Sequence, residues 1–415
     1  MKVDVYKKDQ CRLCGARALE GVFKLTPTPP GNHFVPKAEL GKVQKTYPLE
    51  LNFCRECHHV QLAYVVHPDI LYRTNYTYVS ATSPIFVRHL QEYSAYVINR
   101  FALPSRGLVV DIGSNDGTAL SFFKKAGYRV LGLDPATEIV QRANQNGIET
   151  LCEFFDLEVA RKYEPLYGKA LLINSHNACA HIDDLESVVA GARHWLADDG
   201  LFVIEVGYLL DIVENGWFDT IYHEHVDFHT VEPLVAFLQR LGLEVISAQR
   251  ISPQGGSIRL VAQKQGGRRA SDGSVEELIR LERAAGLHKA ETFRAFGQKI
   301  DRLRDDLSKL VAELKTNGAS IAGYGAPTKA TTLLTHFRLG GVLDFLVDDN
   351  PLKQNLYSPG LHIPVYPAAE LYRRKPDYLL ILAWNFAENI MERHQAFRTQ
   401  GGRFILPMPE PKICE

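Results

Sequence analysis

The 415 residues are more than one ordinary core organises, so the chain is expected to fold as two or three domains. With 46% apolar and 23% charged residues and a net charge of −1, the composition is that of a globular protein, and it excludes global recruitment to nucleic acid or to an anionic membrane. The start MKVDVYKKDQC has no apolar segment of signal-peptide length and no later run approaches a membrane span, which makes the cytoplasm the expected location.

Residues 1–72 hold two tight cysteine pairs, Cys11-x-x-Cys14 and Cys54-x-x-Cys57. Seven cysteines in a long chain of this kind do not read as a disulfide framework. Each pair can wrap one side of a tetrahedral ion, so Cys11, Cys14, Cys54 and Cys57 are expected to bind one zinc. Four thiolates close the shell and leave no position for substrate, which makes the zinc structural. Between the pairs, Thr26-Pro27-Thr28-Pro29-Pro30-Gly31 resists helix and sheet and suits an extended loop. A bridge follows, with Tyr72, Tyr76, Tyr78, Tyr93 and Tyr96 among helix-forming residues.

Residues 73–270 are expected to contain a doubly wound sheet. Gly107 to Ile112 reads as a short buried strand, Gly113 to Gly117 as a turn, and Tyr128 to Asp134 as the next strand. Further strands are predicted at Ala170 to Asn174, Leu201 to Val206, Leu243 to Gln249 and Ser257 to Gln263. Residues 271–317 read as a charged helical connector. A second, smaller β-α series over 318–415 has strands at Ser320 to Gly325, Leu343 to Asp348, Tyr378 to Ala383 and Phe404 to Pro407.

The turn after the first strand of the larger series, Asp111-Ile112-Gly113-Ser114-Asn115-Asp116-Gly117, lies where open α/β sheets bind ligands. Its carboxylates are wrong for a dinucleotide pyrophosphate and suit a ligand with a free amino group and a sulfonium. Asp134, ending the next strand, can accept from both ribose hydroxyls, and Pro135, Phe154 and Phe155 can face an adenine. Asn174 opens a polar cluster that runs to His181 at the same sheet edge, where Asn174 is a candidate for cofactor contact. Between Thr220 and His229, one phenol, three imidazoles and two carboxylates crowd ten residues, a composition suited to proton removal near neutral pH. The spacing of His223 and His225 is not that of a zinc helix. Tyr222, Glu224 and His225 share a pocket only if the chain turns here, because an extended strand sends alternate side chains to opposite faces.

These segments together resemble the sugar C-methyltransferases that act on nucleotide-linked 4-keto-deoxysugars. The resemblance covers essentially the whole chain. It rests on the two cysteine pairs, Asn75-Tyr76-Thr77-Tyr78, Asp111 to Gly117, Tyr222-His223-Glu224-His225, Gly323-Tyr324-Gly325-Ala326-Pro327-Thr328-Lys329, and Asp349 to Asn355. It implies an N-terminal zinc domain, a central class I methyltransferase domain using S-adenosylmethionine, and a C-terminal Rossmann-like domain. It implies a monomer acting on a nucleotide-linked sugar, with no nucleic-acid or membrane partner. The implied reaction adds a methyl group to C-3 of a 4-keto-6-deoxysugar through an enolate, with His225 as base. Tyr76, His181, Tyr222 and Glu224 surround the sugar, with Tyr78 one repeat away from Tyr76. His223 fills the variable position of the Y-x-E-H pattern and receives no role from it.

In that scheme Tyr222 and His181 donate to the oxyanion, Glu224 orients the base and the Asp111–Gly117 loop aligns the methyl donor. Tyr324 and Gly325 let backbone approach a ligand, and Lys329 and Lys353 meet the diphosphate. Three alternatives keep parts of the pattern. One is an O- or N-methyltransferase on a sugar. Another is an NAD-dependent sugar oxidoreductase using the Gly323-Tyr324-Gly325 turn, which lacks the third glycine of the fingerprint. The last is a zinc-ribbon binding module without catalysis.

Overall fold

The computed structural model describes residues 4–72 and 79–414. Tyr76 and Tyr78 therefore lie outside the described residues. The N-terminal region forms β1 (Val5–Lys7), β2 (Leu19–Thr28), β3 (Tyr47–Cys54), β4 (Val60–Leu62) and β5 (Tyr64–Val66). β3 alternates buried and partly exposed residues, the pattern of a strand with one face on a core.

The central sheet is built from β6 (Leu108–Ile112), β7 (Arg129–Leu133), β8 (Thr150–Leu151), β9 (Ala170–His176) and β10 (Leu196–Gly207). After β11 (Asp227–Phe228) it is completed by β12 (Leu243–Ile251) and β13 (Ser257–Lys264), in the order β12-β13-β10-β9-β6-β7-β8. β13 runs antiparallel to both neighbours, whereas the pairs from β10 to β8 are parallel. Every residue of β6 is buried, as expected of a strand covered on both faces. The chain runs outward from β6 to β8 and returns to β9 beside β6, so the topological switch, where a crevice opens, lies between β6 and β9.

The third unit comprises β14 (Ile321–Tyr324), β15 (Phe345–Val347), β16 (Val365–Tyr366), β17 (Tyr378–Ile381), β18 (Arg403–Leu406) and β19 (Lys412–Cys414). Their order is β16-β15-β14-β17-β18-β19, parallel except for β19, with the switch between β14 and β17.

The units interlock more than the sequence suggests. β11, which directly follows the His225 segment, pairs with β4 and so belongs to the N-terminal sheet. The connector folds as two helices, Ser274–Ala284 and Ala290–Thr316, and the longer one packs on β2 and β3. Phe296 meets Phe23 edge-on at 5.6 Å and Phe293 lies 5.7 Å from Phe53. One apolar cluster includes Leu49, Phe202, Leu303 and Phe337, so a continuous core runs through all three units. Among the described residues no helix is long and apolar enough to cross a membrane.

Candidate active site

The four cysteine sulfurs lie within 4.8 Å of one another, with Cys11 to Cys57 at 3.5 Å and Cys14 to Cys54 at 3.6 Å. A tetrahedral zinc with bonds of about 2.3 Å holds its sulfurs about 3.8 Å apart, so the set fits that ion. His59 stays outside the shell, buried and 2.8 Å from Asp227. Arg12, between the first two ligands, ties the knuckle to the central domain. It bonds Asp183 at 2.8 Å and the carbonyls of Leu62 and Val226.

The carboxyl edges of the central and third sheets border one cavity of about 1070 Å³. Asp111, Gly113, Asn115, Asp134, Pro135, Phe154 and Phe155 line it. Asp111 Oδ1 is buried 3.5 Å from His176 Nδ1, an acceptor on the cavity at a position suited to an ammonium. Gly113 has φ 72°, and a Cβ there would sit 2.6 Å from that of Ala178, so only glycine fits the turn. Asp134 accepts from the backbone N–H groups of Asn115 and Ala136, and burial pushes its carboxyl up to about 6. These features fit S-adenosylmethionine: acceptors for an amino group and a ribose, with Phe154 partly exposed for a base.

Three residues expected in cofactor contact do not line the cavity. Asp116 accepts from Ala81 and Thr118 backbone N–H groups, Gly117 caps the helix Thr118–Lys125 against Ile148, and Asn174 bonds the Tyr93 hydroxyl beneath the floor. Together with Asn115, whose Oδ1 accepts from Ser80 N–H at 2.9 Å, Asp116 anchors residues 80 and 81 to the loop. Their polarity serves the chain that covers the site.

Across the cavity the segment after Thr220 turns, with His225 N–H bonded to the Tyr222 carbonyl at 2.9 Å. This turn brings the Tyr222 and His225 rings to 4.2 Å, a juxtaposition that a strand forbids. His225 Nδ1–H donates to the Thr220 carbonyl at 2.7 Å, because a carbonyl only accepts. Nε2 is thereby left with its lone pair and accepts from the Tyr222 hydroxyl at 2.9 Å. Burial pushes the imidazole down to about 4, so it is neutral at physiological pH. The His181 ring lies 4.9 Å away, itself pushed well down by burial, with Nδ1 3.2 Å from the Tyr72 hydroxyl.

Glu224 is not the group that orients His225. The turn carries its side chain away to Asn32, whose Nδ2 donates to Oε1 at 2.9 Å, and the Thr220 carbonyl orients His225 instead. His223 points out of the cavity and donates to the Tyr47 carbonyl at 3.1 Å, a packing role that leaves the imidazole buried. Tyr324, Gly325, Lys329 and Lys353 all line the cavity. Lys329 lies 3.4 Å from the centre of the Trp384 ring and bonds Asn385 at 3.1 Å, with its ammonium pushed down by burial. Lys353 donates to the Ala326 carbonyl at 2.8 Å, and Tyr324 bonds Asp349 at 3.0 Å and Arg393. Asn32 and Tyr72 are not legible as site residues, since neither belongs to a local chemical pattern, and Thr220 acts through its backbone carbonyl, which its residue type does not announce.

Family models match in the same order as these units: a zinc binding domain over residues 11–72, a methyltransferase domain over 86–248 and a C-methyltransferase C-terminal domain over 252–409. The C-methyltransferase NovU of Streptomyces niveus is 34% identical over 406 residues, which cover 98% of this chain and 96% of that protein. The chain belongs to the NovU-like C-methyltransferase family. Like NovU it is a C-methyltransferase; the chain depends on S-adenosylmethionine and carries a zinc-binding N-terminal domain. More distant likenesses cover less of this C-methyltransferase. Magnesium protoporphyrin IX methyltransferase of Synechocystis PCC 6803 is 15% identical, covering 43% of this chain and 83% of its own, with a TM-score of 0.34. An S-adenosylmethionine-dependent methyltransferase of Clostridium acetobutylicum is 12% identical over 43% of this chain and 92% of its own, with a TM-score of 0.35.

Proposed function

We propose that the chain methylates C-3 of a nucleotide-linked 4-keto-6-deoxysugar through an enolate, with His225 as the base. The state of the His225 ring carries this reading. The ring is buried and neutral, pinned through Nδ1, with the Nε2 lone pair on the cavity that the cofactor loop borders. A sugar ring C–H becomes acidic only beside a carbonyl, where the carbanion delocalises onto oxygen. Burial keeps the imidazole ready to accept a proton and equally disfavours the imidazolium. Proton uptake is therefore favourable only as negative charge develops nearby, which an enolate oxygen provides.

The Tyr222 hydroxyl, 2.9 Å from Nε2, turns to the ketone oxygen as the sugar enters. That movement frees the lone pair and supplies an oxyanion donor, with His181 beside it. Asp111, Gly113, Asn115, Asp134, Pro135, Phe154 and Phe155 hold the cofactor, and Asp116, Gly117 and Asn174 shape the loop behind them. When bound, S-adenosylmethionine supplies an electrophilic methyl on a sulfonium. Tyr324, Gly325, Lys329 and Lys353 take the nucleotide side of the substrate.

The test is incubation with S-adenosylmethionine and a panel of nucleotide-linked 4-keto-6-deoxysugars, with the products weighed for one added methyl group. Substrate held in deuterium oxide without the donor should gain deuterium beside the ketone. His225→Asn should abolish both outcomes while S-adenosylhomocysteine still raises the melting temperature. Near-normal turnover in that variant removes His225 from the role.

A further inference from the structure

The Pro-rich stretch between the cysteine pairs is not used by zinc binding or by the chemistry above, yet it ends inside the active site. Gly31 is pressed against the third domain so closely that a Cβ there would lie 2.4 Å from the Thr328 carbonyl oxygen, and its own carbonyl accepts from Thr331 Oγ1. The next residue, Asn32, is 3% exposed and lines the cavity. Its Oδ1 accepts from Thr328 Oγ1 at 2.9 Å, and its Nδ2 donates to Glu224 Oε1 at 2.9 Å. One amide thus joins a loop of the zinc domain, the Tyr222–His225 turn and the third domain.

The orientation of that amide follows from chemistry. An ionised carboxylate only accepts, so it takes the NH₂ side, and the Thr328 hydroxyl supplies the proton that the amide oxygen needs. In this orientation Thr328 donates to the amide oxygen and the NH₂ side is left to Glu224. Glu224 is 4% exposed. Burial pushes its carboxyl up to about 7, opposed by Asn32 and by the Lys353 ammonium of the third domain. The Tyr72 hydroxyl approaches from the zinc domain and donates to the Glu224 backbone carbonyl at 3.4 Å.

We propose that Asn32 is a positioning residue: bonded by Thr328, it holds the Glu224 carboxylate in the active-site cavity, so the site is complete only when all three domains are docked. The inference rests on the reading that Glu224 serves the sugar-methylating site.

Two readouts test it on the full-length zinc protein. In ¹³C-glutamate-labelled protein, the Glu224 carboxyl resonance is identified by its loss in Glu224→Gln, and its titration midpoint is expected to rise by about one unit or more in Asn32→Asp. A smaller rise is expected in Thr328→Val, which keeps the side-chain shape but frees the amide. With a nucleotide-linked 4-keto-6-deoxysugar that the panel turns over, Asn32→Asp should lower turnover at pH 7 roughly tenfold to hundredfold and move the acid limb of the profile upward. A titration midpoint unmoved in both variants overturns the proposal. Full activity in Glu224→Gln, with the midpoint still moving in Asn32→Asp, instead overturns the role of Glu224 and leaves the latch standing.

Discussion

Replacing Arg12 by methionine should destabilise the protein by about 3–5 kcal/mol, the cost of removing one partner from a buried ion pair. The Arg12 side chain is 0% exposed, and so is that of Asp227, 3.8 Å from its guanidinium. Methionine fills most of the volume but leaves that carboxylate, among the described residues, with the His59 bond alone, and strips donors from the carbonyls of Leu62 and Val226. Asp183 suffers less, because Lys8 and Tyr6 still reach it. With a urea dependence of about 2–3 kcal/mol per molar, the midpoint should fall by about 1–2 M. Turnover should fall too, since Asp183 and Val226 stand two and one residues beyond His181 and His225. Urea denaturation followed by tryptophan fluorescence, with zinc content measured in parallel, is the assay. A midpoint within about 0.3 M of the native value, with zinc retained, would refute the claim that the knuckle arginine braces the Tyr222–His225 turn.

Cys54→Ser should release zinc and lower the melting temperature, because β3 ends at that ligand; atomic absorption showing one zinc per chain in the variant would contradict the four-sulfur site. Gly31→Ala should cost about 1–3 kcal/mol and reduce turnover, since the new Cβ must push the third domain away; an unchanged melting temperature would show that the contact yields freely. Asp134 sets a pH dependence. Its carboxyl is raised from 3.8 to about 6, so its contribution to stability is full below the unfolded value and lost as pH rises through 6. Ribose hydroxyls favour the ionised form, so affinity for S-adenosylhomocysteine should weaken roughly tenfold per pH unit below 6 in calorimetric titration, and Asp134→Asn should flatten that slope.

Much of this molecule is legible locally. Paired cysteines two apart announce a metal knuckle, and an apolar strand running into an acidic glycine turn announces a ligand edge, because both chemistries are completed by neighbours in the chain. The strands β6, β7, β9, β10, β12, β13 and β14 overlap their predicted positions for the same reason, whereas the two-residue elements β8, β11 and β16 carry no usable period. The crowding of Tyr222, His223, Glu224 and His225 pointed to a site but not to the duties within it. Those were decided by a turn that faces two of the four side chains together, sends His223 to Tyr47, and leaves Glu224 to Asn32.

What tertiary structure alone determined is which distant group meets which. Asn32 and Glu224 are 192 residues apart, Asn32 and Thr328 are 296 apart, and β11 leaves the central domain to pair with β4. Such contacts are made by docking already folded surfaces, and docking depends on the summed shape of both surfaces. No short stretch of residues encodes that sum, so a side chain aimed at a partner domain looks in sequence like any other loop asparagine.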